Sequence, residues 1–152
     1  MKVDEVLKTR PSDVLTVGPE EAVLVVARLF EQKRKGLIIV CDDAGRVAGV
    51  VSLGDIVHAI GHRGAEALDL PVRAIMTTNA SVCRTGDSTE SALDKMRELG
   101  VRHLPVVDDD DRPMGLLEEK KALEVMYEDA ALDFAQLRGY VFKAGGRSWY
   151  CF

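Results

Sequence analysis

A chain of 152 residues with 47% hydrophobic and 30% charged side chains can build one compact domain or two small halves sharing a core, and its composition excludes a disordered segment. The formal net charge of −5 argues against general binding to nucleic acid or to an anionic membrane surface. The opening Met1-Lys2-Val3-Asp4-Glu5 has no apolar signal core and no apolar run can span a bilayer, so a soluble cytoplasmic protein is expected.

In chain order, residues 3–8 read as a short helix or lead-in, and Thr9-Arg10-Pro11-Ser12 as a loop, because Pro11 disfavours helix at Arg10. Residues 14–17 form a strand. Gly18-Pro19 turns the chain into a helix over about 20–33, with Val23, Val26, Ala27 and Phe30 on one face and Gly36 marking its end. Residues 37–40 and 46–51 make a hairpin around Asp43-Ala44-Gly45. A helix follows from Ser52 to near Gly61, then a linker over 65–70 and a lead-in over 71–76. The second half repeats the strand, a helix over about 88–99 stopped by Gly100, a hairpin with Asp108 to Asp111 at its tip, and a helix over about 118–130. The acidic tip lacks the spaced oxygens, central glycine and closing glutamate of a calcium loop, so it reads as a solvated turn. Beyond it, 131–137 continue the helix with Leu132, Phe134 and Leu137 apolar, Gly139 ends it, and Tyr140-Val141-Phe142 and Trp149-Tyr150-Cys151-Phe152 follow. Apolar aromatics of this kind need cover, from the chain's own domain, a dimer mate or another protein docked there. The cysteines, Cys41, Cys83 and Cys151, are odd in number and lack CxxC spacing, which argues against a disulfide framework or a zinc site.

One stretch concentrates the chemistry. Gly49-Val50-Val51-Ser52-Leu53-Gly54-Asp55 reads as a buried strand turning into a helix, with Ser52 as N-cap and Asp55 in the acidic slot of a capping box. A helix N-terminus offers free N–H groups and a positive dipole end to an anion. A hydroxyl and a carboxylate there add a phosphate contact and an acceptor for sugar hydroxyls. The simpler reading is that both residues only cap the helix.

The halves are similar. Leu37-Ile38-Ile39-Val40-Cys41-Asp42-Asp43 falls on Leu104-Pro105-Val106-Val107-Asp108-Asp109-Asp110 at an offset of 67, as does Leu15-Thr16-Val17 on Val82-Cys83-Arg84; after the hairpin the offset is 66, with Gly49-Val50-Val51 on Gly115-Leu116-Leu117. The expected fold is therefore α/β (α+β): two β-α-β-β-α repeats packed sheet to sheet about a pseudo-two-fold axis, with clefts where each strand-to-helix junction faces the other copy.

Residues 6–127 resemble a tandem cystathionine-β-synthase (CBS) domain pair, or Bateman module. The resemblance rests on Val14-Leu15-Thr16-Val17-Gly18-Pro19-Glu20, Ile75-Met76-Thr77-Thr78 with Ala80-Ser81-Val82, Val101-Arg102-His103-Leu104-Pro105-Val106-Val107-Asp108, and the junction at Ser52 and Asp55, all in order. It places a first repeat in 1–66, a second in 67–130 and a helix with an aromatic tail in 131–152. It implies binding of an adenosine nucleotide, AMP, ADP or ATP first and NAD(H) or S-adenosylmethionine as further options, in a regulatory role. It also implies the flat homodimer of stand-alone bacterial members, or action on a partner protein.

Carried onto this chain, the resemblance gives Asp55 to the ribose hydroxyls and Ser52, beside Val51, to phosphate. Lys35 and Gly36 approach the ligand, Thr77, Thr78, Ala80, Ser81 and Val82 lie against the base, and Val101, Arg102 and His103 lie nearby, with Arg102 or His103 reaching phosphate. The second junction departs from the pattern, with Glu118 in place of the serine or threonine and Lys121 in place of the aspartate. A carboxylate repels phosphate and an ammonium cannot accept from ribose, so one functional site per chain is expected. The three histidines, His58, His62 and His103, have no paired nucleophile, and no P-loop or dinucleotide fingerprint is present, so neither metal binding nor enzyme activity is expected. Two readings stand: a nucleotide-sensing regulatory module, and a dimerisation or docking scaffold with vestigial clefts.

Overall fold

The computed structural model describes residues 1–144, with side chains to residue 141. The first repeat contributes α1 (Val3–Thr9), β1 (Thr16–Val17), α2 (Val23–Lys33), β2 (Leu37–Cys41), β3 (Val47–Ser52) and α3 (Leu53–Arg63). Two 3-10 turns, Gly64–Asp69 and Val72–Ala74, lead into β4 (Cys83–Arg84), α4 (Thr89–Leu99), β5 (His103–Val107), β6 (Pro113–Glu118) and α5 (Glu119–Ala144). This is the expected mixed fold, with two three-stranded sheets ordered β1-β2-β3 and β4-β5-β6. In each sheet the first pairing is parallel, because a helix carries the chain across, and the second is an antiparallel hairpin.

The repeat is more regular than its sequence suggests. Val17 pairs with Val40 as Cys83 pairs with Val106, and Val40 faces Gly49 as Val106 faces Gly115, so the offset is 66 throughout the sheets. The helices agree: Val23, Val26 and Phe30 of α2 are buried where Thr89, Ala92 and Met96 of α4 are buried. The offset of 67 across the first strands and the hairpin approach is thus one residue too long. Asp42 and Asp108 reveal why the turns match at 66. Each carboxylate accepts two backbone N–H bonds, Asp42 from Ala44 and Arg46, Asp108 from Asp110 and Arg112.

Each repeat borrows its lead-in from the other. Val3 and Val6 of α1 are buried with Cys83, Met96, Leu104 and Leu117 of the second repeat. Val72 of the inter-repeat segment is buried with Val23, Phe30, Ile38 and Val51 of the first. The backbone bonds match: Val3 N–H donates to the Asp87 carbonyl (3.0 Å), and Val72 N–H to that of Glu21 (2.7 Å). Gly115 and Gly49 receive these lead-ins. A Cβ on Gly115 would lie 2.9 Å from Leu7, and one on Gly49 would lie 2.7 Å from the Thr77 carbonyl. Burying apolar side chains of both repeats in this exchange ties two small cores into one body.

Three boundaries differ from expectation. The helix α2 ends at Lys33 with Arg34 in the left-handed conformation (φ 49°), so Gly36 is free for another role. Gly100 does the matching work in the second repeat (φ 66°). The helix α3 runs through Gly61 to Arg63, with Gly64 after it. The last helix does not stop at Gly139 but continues to Ala144, since one interior glycine costs only about 1 kcal/mol. Nor does the body cover it: Tyr127, Leu132, Phe134, Leu137, Tyr140 and Val141 are all exposed. The end of the tail, Trp149-Tyr150-Cys151-Phe152, lies outside the described residues. Of the other thiols, Cys41 and Cys83 are free, and burial pushes Cys83 up to about 12, which leaves it inert at neutral pH.

Candidate functional site

A cleft of about 570 Å³ opens between the repeats. Its floor is the junction of β3 and α3. Ser52 ends the strand in extended conformation and caps the helix: its Oγ accepts from Asp55 N–H (3.2 Å) while Asp55 Oδ2 accepts from Ser52 N–H (2.8 Å). The capping box is real, yet it does not exhaust either group. The Ser52 hydroxyl can still donate its proton, and Asp55 keeps a second oxygen with no partner among the described residues. The N–H groups of Leu53 and Gly54 sit in the first turn, where no helical carbonyl can receive them.

The opposite wall comes from the second repeat. Leu99, Gly100, Val101 and Arg102 leave the C-terminus of α4 and run into β5 at His103. A third side is the segment before β4. Thr77 pairs with Val50 in both directions (Val50 N–H to Thr77 carbonyl 3.0 Å, Thr77 N–H to Val50 carbonyl 2.8 Å), which pins Thr77, Asn79, Ala80 and Ser81 along the edge of β3. Asn79 takes the left-handed conformation (φ 53°) that turns the chain there.

Gly36 explains itself at this point. A Cβ built on it would lie 2.5 Å from Cε1 of His103, so the glycine lets an imidazole from the second repeat close on the backbone of the first. Burial holds His103 below its ordinary pKa against the opposing charge of Glu118, which leaves it neutral at pH 7. His103 can offer one N–H into the cleft, while Arg102, exposed there, carries the positive charge.

Of the residues anticipated from sequence, Gly36, Ser52, Asp55, Thr77, Ala80, Ser81, Val101, Arg102 and His103 line this cleft. Four do not. Val51 is fully buried in the core of the first repeat, and strand alternation puts Val50 at the cleft in its place. Val82 lines a smaller neighbouring hollow of about 210 Å³ with Val47 and Ala48. Thr78 is exposed outside the cleft, and Lys35, one residue before Gly36, is half-buried beside it. Sequence reasoning missed Leu37, Val50, Asn79, Leu99, Gly100, Leu104 and Pro105 as lining residues. Asn79 carried a usable signal, since asparagine tolerates a left-handed turn.

The equivalent junction in the second repeat is filled by its own side chains. Glu118 stands 66 residues after Ser52 and Lys121 the same distance after Asp55. Lys121 Nζ lies 2.9 Å from Glu118 Oε1, and the Ser12 hydroxyl donates to the same oxygen at 2.8 Å. Burial raises the Glu118 pKa, but the hydrogen bonds from Lys121 and Ser12 outweigh it and hold the carboxyl below its ordinary value. An anionic ligand would have to displace this pair against a fixed negative charge.

Among the described residues no cluster of three or more histidine, cysteine or acidic side chains could hold a metal ion, and no helix is long and apolar enough to cross a membrane. His58 and His62 stack, ring centroids 6.0 Å apart, one turn apart on α3.

Comparison with known proteins agrees with this geometry. The family model "CBS domain" matches residues 3–62 and 72–128. A 17.7 kDa protein of Acidianus ambivalens is 25% identical over 135 residues, covering 89% of this chain and 79% of its own length. An arabinose 5-phosphate isomerase of Pseudomonas aeruginosa is 35% identical over 91 residues, which is 59% of this chain but only 28% of the isomerase. Among solved structures, a CBS domain protein of Pyrobaculum aerophilum complexed with AMP superposes with a TM-score of 0.70 at 27% identity, covering 80% of this chain and 89% of that one.

Proposed function

The chain belongs to the CBS-domain family, and from that premise we propose that it is a regulatory module that binds an adenosine nucleotide in the cleft between its repeats. One observation carries the reading. The half-used capping box of Ser52 and Asp55 shares a single cleft with the Thr77–Val50 pairing and with Arg102. In this reading Asp55 takes the ribose hydroxyls through its open oxygen. Ser52 and the N–H groups of Leu53 and Gly54 take phosphate, joined by Arg102 across the cleft. The apolar segments around Val50, Ala80 and Val101 flank the base. The Pyrobaculum relative solved with AMP supports the ligand class. With one cation on the lining and His103 neutral, the cleft suits a single phosphate, which favours AMP over ATP.

The module works through packing rather than catalysis. A ligand gripped by both repeats changes how they sit together, and a second copy or a partner protein reads the change. Pairing with a second copy fits the exposed Leu53, Val57 and Ile60 on α3. The scaffold reading draws on the self-sealed junction at Glu118 and on the uncovered length of α5.

Calorimetric titration with AMP, ATP, NADH and S-adenosylmethionine tests the proposal. AMP should bind tightest, and Asp55→Ala should weaken it at least about tenfold, the loss of one charge-assisted hydrogen bond. No binding by any of the four would return the protein to the scaffold reading. Binding that ignores Asp55→Ala would place the ligand elsewhere.

A further inference from the structure

From Leu123 to Val141, α5 carries a pattern that the nucleotide site does not use. Leu123, Tyr127, Ala130, Phe134, Leu137 and Val141 are spaced four, three, four, three and four residues apart, the repeat of a coiled-coil seam. All six are exposed, Tyr127 at 75% and Val141 at 70%. The body holds the helix by other faces. Ala122 and Val125 are buried in the second core, and Glu128 pairs with Arg10 at 2.6 Å, all three off the seam. A row of large apolar side chains about 27 Å long, at 1.5 Å per residue, is left facing water.

We propose that this seam pairs with the seam of a second copy of the chain, antiparallel, about a two-fold axis near Leu132. The proposal rests on the reading that the protein pairs with itself and is independent of nucleotide binding. Two features of the sequence select the occupant and its direction. The first is volume. The smallest seam residue, Ala130, lies one position from the bulky Phe134. An antiparallel partner sets Ala130 against Phe134 of the other copy twice at the centre, flanked by Tyr127 against Leu137 and Leu123 against Val141. A parallel partner would stack Phe134 on itself and leave a gap between two alanines. The second is charge. Glu124 and Arg138 occupy the same flanking position of the repeat, two heptads apart, and the antiparallel register brings each beside the other's counterpart across the pair, twice by symmetry. Opposed helix dipoles favour the same direction. Asp133 meets its own copy across the axis, a repulsion that exposure to water weakens.

Sedimentation equilibrium of the full 152-residue chain over a range of protein concentrations tests this. The wild type should sediment as a dimer. Phe134→Glu with Leu137→Glu should raise the dimer dissociation constant at least about a hundredfold, two buried apolar contacts replaced by charges. Circular dichroism and AMP titration should show the body of that variant unchanged. Glu124→Arg alone and Arg138→Glu alone should each weaken the dimer about three- to tenfold, and the two together should restore it. A dimer untouched by the double glutamate variant would overturn the seam while leaving self-pairing in place. A wild type that stays monomeric would overturn both. Charge-swapped chains that weaken singly but are not rescued together would overturn the antiparallel register.

Discussion

The two strand-to-helix junctions of this protein share a backbone and differ in two side chains. At β3–α3, Ser52 and Asp55 satisfy each other through backbone N–H groups and keep capacity to spare. At β6–α5, Glu118 and Lys121 satisfy each other directly, side chain to side chain, and the Ser12 hydroxyl donates to the same Glu118 oxygen. The same turn keeps polar groups with bonds to spare in one place and pairs them with each other in the other. Fold alone therefore does not make a binding site: what matters is whether the polar groups at a helix start are left with bonds still to make.

Grafting one junction onto the other breaks this comparison with the largest effect. Ser52→Glu with Asp55→Lys should abolish AMP binding, a loss of at least about a hundredfold, because two charge-assisted contacts disappear and a repulsion replaces one of them. Retained binding in calorimetry would mean that neither residue touches the nucleotide. Next is Gly36→Ala. The added methyl must push the His103 ring away, an overpacking that costs about 1–3 kcal/mol and should lower the melting temperature while weakening AMP binding. An unchanged melting temperature would show that the imidazole moves freely.

How much of this was legible in the sequence follows the same line of local against distant causes. The capping box and the two hairpins rest on neighbours within a few residues, and the repeat, with its departure at Glu118 and Lys121, on short runs that occur twice; each was readable. The register was not. Leu104, Pro105, Val106 and Val107 are all apolar and run into four aspartates, so sliding them by one residue against Leu37 to Val40 costs the pattern nothing; only the turn bonds of Asp42 and Asp108 decide it. Val51 was assigned to the cleft because it adjoins Ser52, whereas strand alternation gives that place to Val50. The contact of Gly36 with His103 joins residues 67 positions apart, which no local pattern encodes. Gly139 was read as a helix end because glycine often is one, but the helix on either side outweighs it.

Smaller effects sharpen the contrast between the junctions through stability. Glu118→Gln removes one partner of a half-buried ion pair and should cost about 1–2 kcal/mol. Ser52→Ala removes a cap alone and should cost about 1 kcal/mol. Thermal melts of the two variants should rank them in that order, with a larger loss for Ser52→Ala showing that the first junction's cap contributes more stability than the second's ion pair.

The smallest effect is in pH. The Glu118 carboxyl is held below its ordinary value of 4.5, so its stabilisation is present above that pH and is lost as the pH falls through the folded value. His103 is held below 6.5, so the folded state takes up its proton later than the unfolded one and stability also declines as the pH drops below 6.5. Melts of the wild type and Glu118→Gln between pH 7 and 3 should run nearly parallel down to about pH 5 and converge below it as Glu118 protonates. Curves that stay parallel throughout would remove Glu118 from the acid response.

The central claim is one nucleotide site per chain, set by the chemistry of two positions. Calorimetric stoichiometry of AMP binding tests it most directly, on the wild type beside Glu118→Ser with Lys121→Asp. The account predicts one AMP per wild-type chain and a second binding event in the variant. Two equivalent sites in the wild type, or one site that survives unchanged when Asp55 is replaced, would contradict it.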